Sequence, residues 1–290
     1  MQYPTVHTKL IILLGTPLGH SISPAMHNSA FTKLGLDYCY LPVEVTKENL
    51  KEVFNGLTHM NVGGFNVTIP HKIDIIKYLD ELDPLAATIG AVNTVCIIDG
   101  KTIGYNTDGE GFLLSLKDKT GMKIQGKTFF VLGCGGAGRA ISMTLAHHGA
   151  QKIFITNRTL KRAIGLATEI NNKIGDCAEV IELNTANRMK ALLRSDVLIN
   201  CTSVGMHPKT DILPLEESLI QNHLVVADIV YNPLTTRLLQ IATEKGCRIV
   251  HGLGMLVHQG AAGFTLWTGV KPVIGEMSST AYAAIAAPST

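Results

Sequence analysis

The sequence predicts an α/β protein of two domains, and three observations carry that prediction. Its 290 residues are more than one average domain needs. Short apolar runs alternate with amphipathic stretches along the whole length, the pattern of strands and helices in α/β units with parallel sheets. From Gly126 onward the pattern becomes strand, glycine-rich turn, helix, strand, which marks the start of a second unit.

The elements follow in order. Lys9–Leu14 is an apolar run closed by Gly15, and it reads as a strand. A helix over Pro24–Leu34 opens with proline, whose missing N–H costs nothing in a first turn. Strands follow at Tyr38–Pro42, Gly64–Val67 and Thr94–Ile98, with helices at Lys47–Leu57 and His71–Tyr78. Helix Gly109–Lys119 and the turn Thr120–Gly126 lead into the second unit. There Thr128–Leu132 reads TFFVL, a strand buried on both faces. Strands at Lys152–Thr156, Val197–Asn200, Val225–Asp228 and Arg248–Val250 complete its sheet, with helices at Ala137–His148, Leu160–Asn172 and Thr236–Lys245. The last predicted helix is Met255–Thr268. Its Met255, Leu256, Phe264, Leu266 and Trp267 need a partner surface, so the C-terminal helical segment is expected to return to the first domain.

Composition excludes several classes of function. The chain is 46% hydrophobic and 17% charged, which opposes disorder. Its 25 Lys and Arg nearly balance its 23 Asp and Glu, so no nucleic-acid partner held by phosphate neutralisation is expected. No apolar run approaches the length of about 18 residues that spans a membrane, and no apolar segment of a signal peptide follows the first residues. Six cysteines lie scattered without Cys-x-x-Cys or Cys/His spacing, so neither a metal site nor a disulfide framework is expected. Most of them sit in apolar segments and read as buried small hydrophobes, and cytoplasm is the simplest compartment. His7, His59, His147, His148, His207 and His223 read as surface residues.

The strongest local signal is Gly133-Cys134-Gly135-Gly136-Ala137-Gly138, a G-x-G-x-x-G between a strand and a helix. One glycine permits the tight turn, one lets backbone approach a pyrophosphate, and one lets helix pack on strand. The helix N-terminus adds free N–H groups and positive dipole. The competing reading is a glycine-rich structural turn. The next strand ends at Asn157-Arg158-Thr159, where an NAD enzyme carries an acidic residue for the ribose. Here Asn157 stands instead, with Arg158 beside it and Arg162 one helical turn on. A guanidinium binds a 2′-phosphate with paired hydrogen bonds, so NADP is favoured over NAD. The alternative is that both arginines are solvated surface residues. Cys201-Thr202-Ser203, after the strand Val197–Asn200, are expected to line the cofactor cleft.

Three polar segments mark the first domain. Gly19-His20-Ser21-Ile22-Ser23-Pro24 carries two hydroxyls that can bind one small carboxylate, or Ser23 caps the helix. GFNVTIPHK, residues 64–72, runs a strand into a polar turn. GAVNT, residues 90–94, and GYNTDGEGF, residues 104–112, follow, and their Asn and Asp before Gly also read as ordinary turn residues.

HSISPAMHN, GFNVTIPHK, GAVNT, GYNTDGEGF, GCGGAG, NRTLKR, DIVYNP and GLGMLVHQG occur in this order. With them the chain resembles the shikimate dehydrogenase family, from about Leu10 to Trp267. The resemblance implies reversible reduction of 3-dehydroshikimate to shikimate with NADP(H), a step toward chorismate and the aromatic amino acids. It implies a substrate domain of residues 1–108 plus 252–290 and an NADP-binding Rossmann domain of residues 109–251. Ser21 and Ser23 match the serines that hold the substrate carboxylate, Lys72 the catalytic lysine, and Asp108 the aspartate that works with it. Thr68, Asn93, Gln259 and Tyr231 match residues that bind or orient the substrate. Gly133, Cys134, Gly135, Gly136, Ala137 and Gly138 match the phosphate loop, and Asn157, Arg158, Thr159 and Arg162 the clamp for the adenosine phosphate. Ile229 and Gly252 match backbone neighbours of the nicotinamide, while His20 and His258 lie beside matched residues and shape the site without chemistry.

The residues fit that chemistry. Removing hydride from a secondary alcohol requires that its proton leave too. An ammonium stabilises the developing alkoxide and a neutral amine accepts the proton. A carboxylate nearby favours the ammonium form, so Lys72 and Asp108 read as one proton-handling unit. A quinate/shikimate dehydrogenase using NAD or NADP is the alternative, and two serines with a threonine fit the shikimate pattern. A methylene-tetrahydrofolate dehydrogenase leaves the SxS and NTDG segments unexplained. A non-catalytic metabolite-binding homologue would lack Lys72 or Asp108, and both are present. The expected partner is a small-molecule substrate, with neither nucleic acid nor membrane. The oligomeric state stays open and includes a homodimer.

Overall fold

The computed structural model describes residues 4–19 and 21–286; His20 lies outside them. The fold is α/β and falls into two compact units. One holds the residues up to Thr107 together with those from Gln259 on, and the other runs from Asp108 to His258.

The first unit is built on β1 (Lys9–Gly15), α1 (Ser23–Lys33), β2 (Tyr38–Glu44), α2 (Leu50–Thr58), β3 (Val62–Val67), β4 (Glu81–Leu82), α3 (Pro84–Ile89), β5 (Thr94–Ile98) and β6 (Lys101–Tyr105). Its sheet has the order β2-β1-β3-β5-β6-β4. Strands β1, β2 and β3 are parallel, but β5 runs antiparallel to both β3 and β6. The sheet is therefore mixed, with one antiparallel strand among the parallel pairing expected of α/β units. The cause is the hairpin Ile98-Asp99-Gly100-Lys101, whose two central residues both have positive φ, +50° and +77°. Asp-Gly flanked by apolar strands is the residue pair that such a two-residue turn requires. The reversal brings the amino end of β5 to the same sheet edge as the carboxyl ends of β1, β3 and β6. Leu14, Phe65, Val67 and Val95 are buried in the core around this sheet.

The second unit begins with α4 (Asp108–Thr120), then β7 (Thr128–Leu132), α5 (Gly136–His147), β8 (Lys152–Thr156), α6 (Leu160–Lys173), β9 (Ala178–Val180), α7 (Thr185–Leu192), β10 (Val197–Asn200), β11 (Val225–Asp228), α8 (Arg237–Glu244) and β12 (Arg248–Val250). All six strands are parallel in the order β12-β11-β10-β7-β8-β9. This is the doubly wound dinucleotide-binding order, with its switch point where β7 lies beside β10. Phe130, Leu132, Phe154 and Leu198 are buried in its core.

Helix α9 (Gly252–Thr268) carries the chain back into the first unit, and α10 (Ile274–Ala286) closes it. The apolar end of α9 finds its partners there. Phe264 stacks on Phe31 with centroids 4.8 Å apart, and the Trp267 indole donates to the Val95 carbonyl at 3.0 Å. A Cβ on Gly64 would lie 2.6 Å from the Trp267 ring, so that strand position must be glycine.

Other departures are local. The segment expected as a helix over His71–Tyr78 is a 3-10 helix over Asp74–Tyr78, because His71 is drawn inward and its Nε2 hydrogen-bonds the Val45 carbonyl at 2.7 Å. Strands β4, β6 and β9 and helices α3, α7 and α10 went unread; most are short. Only Cys96, Cys201 and Cys247 of the six free cysteines are buried. The six surface histidines are exposed. Among the described residues no helix is long and apolar enough to cross a membrane, and no group of acidic, His and Cys side chains is placed to hold a metal ion.

Candidate active site

In the first unit the polar segments meet at one sheet edge. Ser21 and Ser23 follow β1, and the Ser23 N–H donates to the Ser21 hydroxyl at 3.4 Å. Ser23 is not a cap: α1 is preceded by Ile22, and among the described residues no side chain caps it. The capping alternative is thereby overturned, and both hydroxyls stay half-buried beside the sheet. Thr68 leaves β3 with its N–H bonded to the Leu14 carbonyl at 2.8 Å. Its methyl packs so tightly on Gly15 that a Cβ there would come within 2.3 Å.

Lys72 lies one turn further. Its carbonyl accepts from the Val92 N–H at 2.8 Å, which fixes the lysine backbone beside the residue preceding Asn93. Asn93 is 3% exposed. Its amide oxygen accepts from the Thr107 N–H at 2.8 Å, and its NH2 donates to the Thr107 hydroxyl at 2.9 Å and to Gln259 Oε1 at 3.3 Å. A backbone N–H only donates, so the orientation of the Asn93 amide is fixed. The structure therefore joins Asn93 and Gln259, which are 166 residues apart in sequence.

In the second unit every candidate follows the carboxyl end of a strand, apart from Asp108, which opens α4 and is 4% exposed. It does not lie in a turn. Gly109 is already helical, and a Cβ there would lie 1.9 Å from the Thr144 hydroxyl of α5. Helix packing, not turn conformation, requires that glycine.

The glycine loop divides its labour as the spacing predicts. Gly133 has φ +100° and faces Thr202 and the Cys201 carbonyl at the end of β10. A Cβ on Gly138 would come within 2.1 Å of the Gly133 carbonyl oxygen. Gly135 has no protein atom within 4 Å of its would-be Cβ, so the protein itself does not need it bare. Helix α5 has no side-chain cap. A bare glycine before uncapped N–H groups fits a pyrophosphate, so Gly133 to Gly138 are suited to hold a dinucleotide. The Asn157 amide oxygen accepts from the Cys134 N–H at 3.2 Å, and its NH2 donates to the Thr159 carbonyl at 2.9 Å. Arg158 and Arg162 are exposed, and among the described residues no carboxylate pairs with either. The Arg162 charge nonetheless reaches the Cys134 thiol, which burial pushes up to about 11.

Ile229 follows β11 and touches Gly252: a Cβ there would lie 2.4 Å from the Ile229 carbonyl oxygen. Tyr231 is half-buried, and burial raises its phenol. The His258 ring meets Asp118 at 2.9 Å.

Comparison with known proteins matches this arrangement. The family model for the substrate-binding domain of shikimate dehydrogenase covers residues 13–95, that for shikimate/quinate 5-dehydrogenase residues 115–230, and that for the shikimate 5′-dehydrogenase C-terminal domain residues 252–280. A shikimate dehydrogenase (NADP+) of Methanocaldococcus jannaschii is 45% identical over 94% of this chain and 95% of its own. The chain belongs to the shikimate dehydrogenase family. A crystal structure of a shikimate dehydrogenase in complex with NADP+ superposes with TM-score 0.92 at 42% identity, over 98% of both chains. That of the Listeria monocytogenes shikimate 5-dehydrogenase, with shikimate and NAD, gives 0.90 at 41%, over 96% of this chain and 98% of that one.

Within this shikimate dehydrogenase family fold, three polar residues were missed by the sequence reading. Asn66 and Asp228 are buried near strand ends, and Thr107 adjoins Asp108. Each lies inside a quoted motif; for Asn66 and Asp228 a polar side chain inside an apolar strand was the signal, since burial obliges it to find partners, while Thr107, in the link between β6 and α4, carried none.

Proposed function

We propose that this protein is an NADP-dependent shikimate dehydrogenase, interconverting 3-dehydroshikimate and shikimate. The observation that carries this reading is identity of 45% along nearly the whole chain, with the polar residues of the first unit ordered by hydrogen bonds at one sheet edge. The first unit binds the substrate and the second the cofactor.

NADP supplies or accepts the hydride when bound. Ser21 and Ser23 donate to the substrate carboxylate, and two hydroxyl donors suit its two oxygens. Thr68, Asn93 and Gln259 orient the ring hydroxyls, and Tyr231 adds a further substrate contact. Lys72 stabilises the alkoxide as an ammonium or takes its proton as an amine, with Asp108 as its partner in moving that proton. Gly133 to Gly138 hold the pyrophosphate, while Asn157, Arg158, Thr159 and Arg162 face the adenosine phosphate. Asn157 carries no charge, so a 2′-phosphate meets no carboxylate at that strand end. Ile229 and Gly252 offer backbone to the nicotinamide. A cytoplasmic setting suits this reaction.

The test is a steady-state assay with shikimate and quinate, each with NADP and with NAD. Highest kcat/KM for shikimate with NADP is expected. Turnover of quinate alone, or a preference for NAD, would replace this reading with the quinate/shikimate alternative.

A further inference from the structure

Tyr40 of β2 belongs to none of the motif residues discussed so far, yet three neighbours hold it from three directions. Asn28 of α1 accepts from its backbone N–H at 2.8 Å and donates to its carbonyl at 2.9 Å, as a neighbouring strand would on this sheet edge. The His27 ring stacks on its ring, 4.5 Å between centroids and 8° between planes. Neither His27 nitrogen has a hydrogen-bond partner, and burial pushes its pKa down to about 3, so it serves as a neutral plate. The Tyr40 hydroxyl donates to Asn66 Oδ1 at 2.7 Å, and the tyrosine is 1% exposed.

The direction of that hydrogen bond is fixed by what lies beyond it. Asn66 turns its NH2 to the Asn93 carbonyl and the Thr94 hydroxyl, both at 3.0 Å. A carbonyl only accepts, so the amide of Asn66 cannot be reversed, and its oxygen faces Tyr40. Thr94 accepts from Asn66 and donates to Asn93 Oδ1 at 3.1 Å, the shorter of its two remaining contacts; the Thr107 hydroxyl lies at 3.5 Å. Asn93 in turn donates to Gln259. The donors run one way: Tyr40 to Asn66, Thr94, Asn93 and Gln259. Backbone atoms at Asn93 and Thr107 lock the sequence of donors.

We infer that Tyr40 is a positioning residue for shikimate: by donating to Asn66 it holds the amide that anchors the Asn93 carbonyl and the Thr94 hydroxyl, and so the place from which Asn93 and Gln259 meet the substrate. This rests on the shikimate dehydrogenase reading above. Burial raises the Tyr40 phenol far above its ordinary range, against the smaller opposing effect of a hydrogen bond with the Ser23 side chain, so it remains a donor at any working pH. Without that donor the buried oxygen of Asn66 has no proton facing it, and the anchor that Asn66 gives to Asn93 and Thr94 is weakened.

The experiment uses the full-length protein, with NADPH bound for the titrations because it cannot take hydride from shikimate, and with NADP for the turnover assays. Shikimate Kd by titration calorimetry and kcat by steady-state assay are measured for the unaltered protein, Tyr40→Phe, Thr94→Val, Asn93→Ala and the double variant Tyr40→Phe/Asn93→Ala. Tyr40→Phe keeps the ring that His27 stacks on, and Thr94→Val breaks the same row without touching Tyr40. Tyr40→Phe and Thr94→Val are each expected to weaken shikimate about tenfold, the usual cost of one buried hydrogen bond left unmade, with kcat changed less than about threefold and NADP affinity retained, while Asn93→Ala, which removes a substrate contact, is expected to weaken shikimate at least as much. In the Asn93→Ala background, Tyr40→Phe is expected to cost less than about twofold more, because its effect travels through Asn93. Native shikimate affinity in both Tyr40→Phe and Thr94→Val, or a full tenfold loss carried onto the Asn93→Ala background, would overturn the inference. If Tyr40→Phe does not fold, Thr94→Val decides alone. An unaltered protein that neither binds nor oxidises shikimate would overturn the functional reading, and this inference with it.

Discussion

The Thr236 hydroxyl donates to Asp228 at 2.7 Å, inside a pocket where the aspartate is 2% exposed. Asn200 and the Val230 N–H donate to the other carboxylate oxygen, each at 3.0 Å. One carboxylate thus ties the ends of β10 and β11 to the start of α8, beside Ile229.

Three donors do not compensate its burial, which raises the Asp228 pKa from 3.8 to about 6. The folded protein then holds this proton more tightly than the unfolded chain, so the group's contribution is greatest below about pH 4 and is lost as pH rises toward 6. A shift of two units corresponds to at most about 3 kcal/mol. The difference in urea unfolding free energy between the native protein and Asp228→Asn should therefore shrink from pH 4 to pH 6.5. A difference independent of pH would show that Asp228 is ionised throughout.

Lys72→Ala should lower kcat with shikimate by about 100-fold or more, since one positioned proton-transfer group contributes about 10²–10⁴. The backbone bond from Val92 survives the change, so the turn that carries residue 72 should keep its place and shikimate affinity should alter less than kcat. Near-native kcat would remove Lys72 from the proton transfer.

Ser23→Ala separates two roles. Among the described residues no cap bond is lost, only the contact of the hydroxyl with the buried Tyr40 phenol, so the unfolding free energy should fall by no more than about 1 kcal/mol. The loss should fall on KM for shikimate, about tenfold, from one hydrogen bond to a charged group. Lost stability with unchanged KM would make the serine structural.

Gly135→Ala and Gly138→Ala should diverge. The protein has room for a methyl at Gly135, so that variant should fold normally and bind NADP weakly. At Gly138 the methyl would strike the Gly133 carbonyl, and backbone must move. Unfolding curves and NADP titrations of both variants read the contrast, and equal behaviour would mean that Gly135 is not kept bare for a ligand.

Arg158→Ala should weaken NADP about tenfold and NAD little, because only NADP carries the 2′-phosphate. The side chain is exposed, so solvent screening keeps the effect at the lower end for a charged hydrogen bond. kcat/KM for both cofactors checks it, and an equal loss for NAD would assign Arg158 to the adenine or to the fold.

Both the legible and the hidden parts of the fold have physical causes. Strand β7 was read to the residue because TFFVL is apolar on both faces, and a strand in the middle of a parallel sheet must be. The hairpin of β5 and β6 was missed although Asp99-Gly100 announces it, because KTIGY, with a lysine, a threonine and a glycine, does not stand out as an apolar run. Helix α10 was missed because small residues, as in AYAAIA, define no sharp apolar stripe.

The sequence by itself determined the fold class, the glycine loop and the residue types at each strand end, since these depend on spacing along the chain and on which side chains fit water, core or turn. Only the tertiary structure decided that Gly109 is bare for Thr144, that Ser23 caps nothing, and that Gln259 reaches Asn93. It also decided the direction of the donors from Tyr40 to Gln259. An amide has the same letter in either orientation. What fixes it is which backbone groups it meets, and those belong to strands that are distant in sequence.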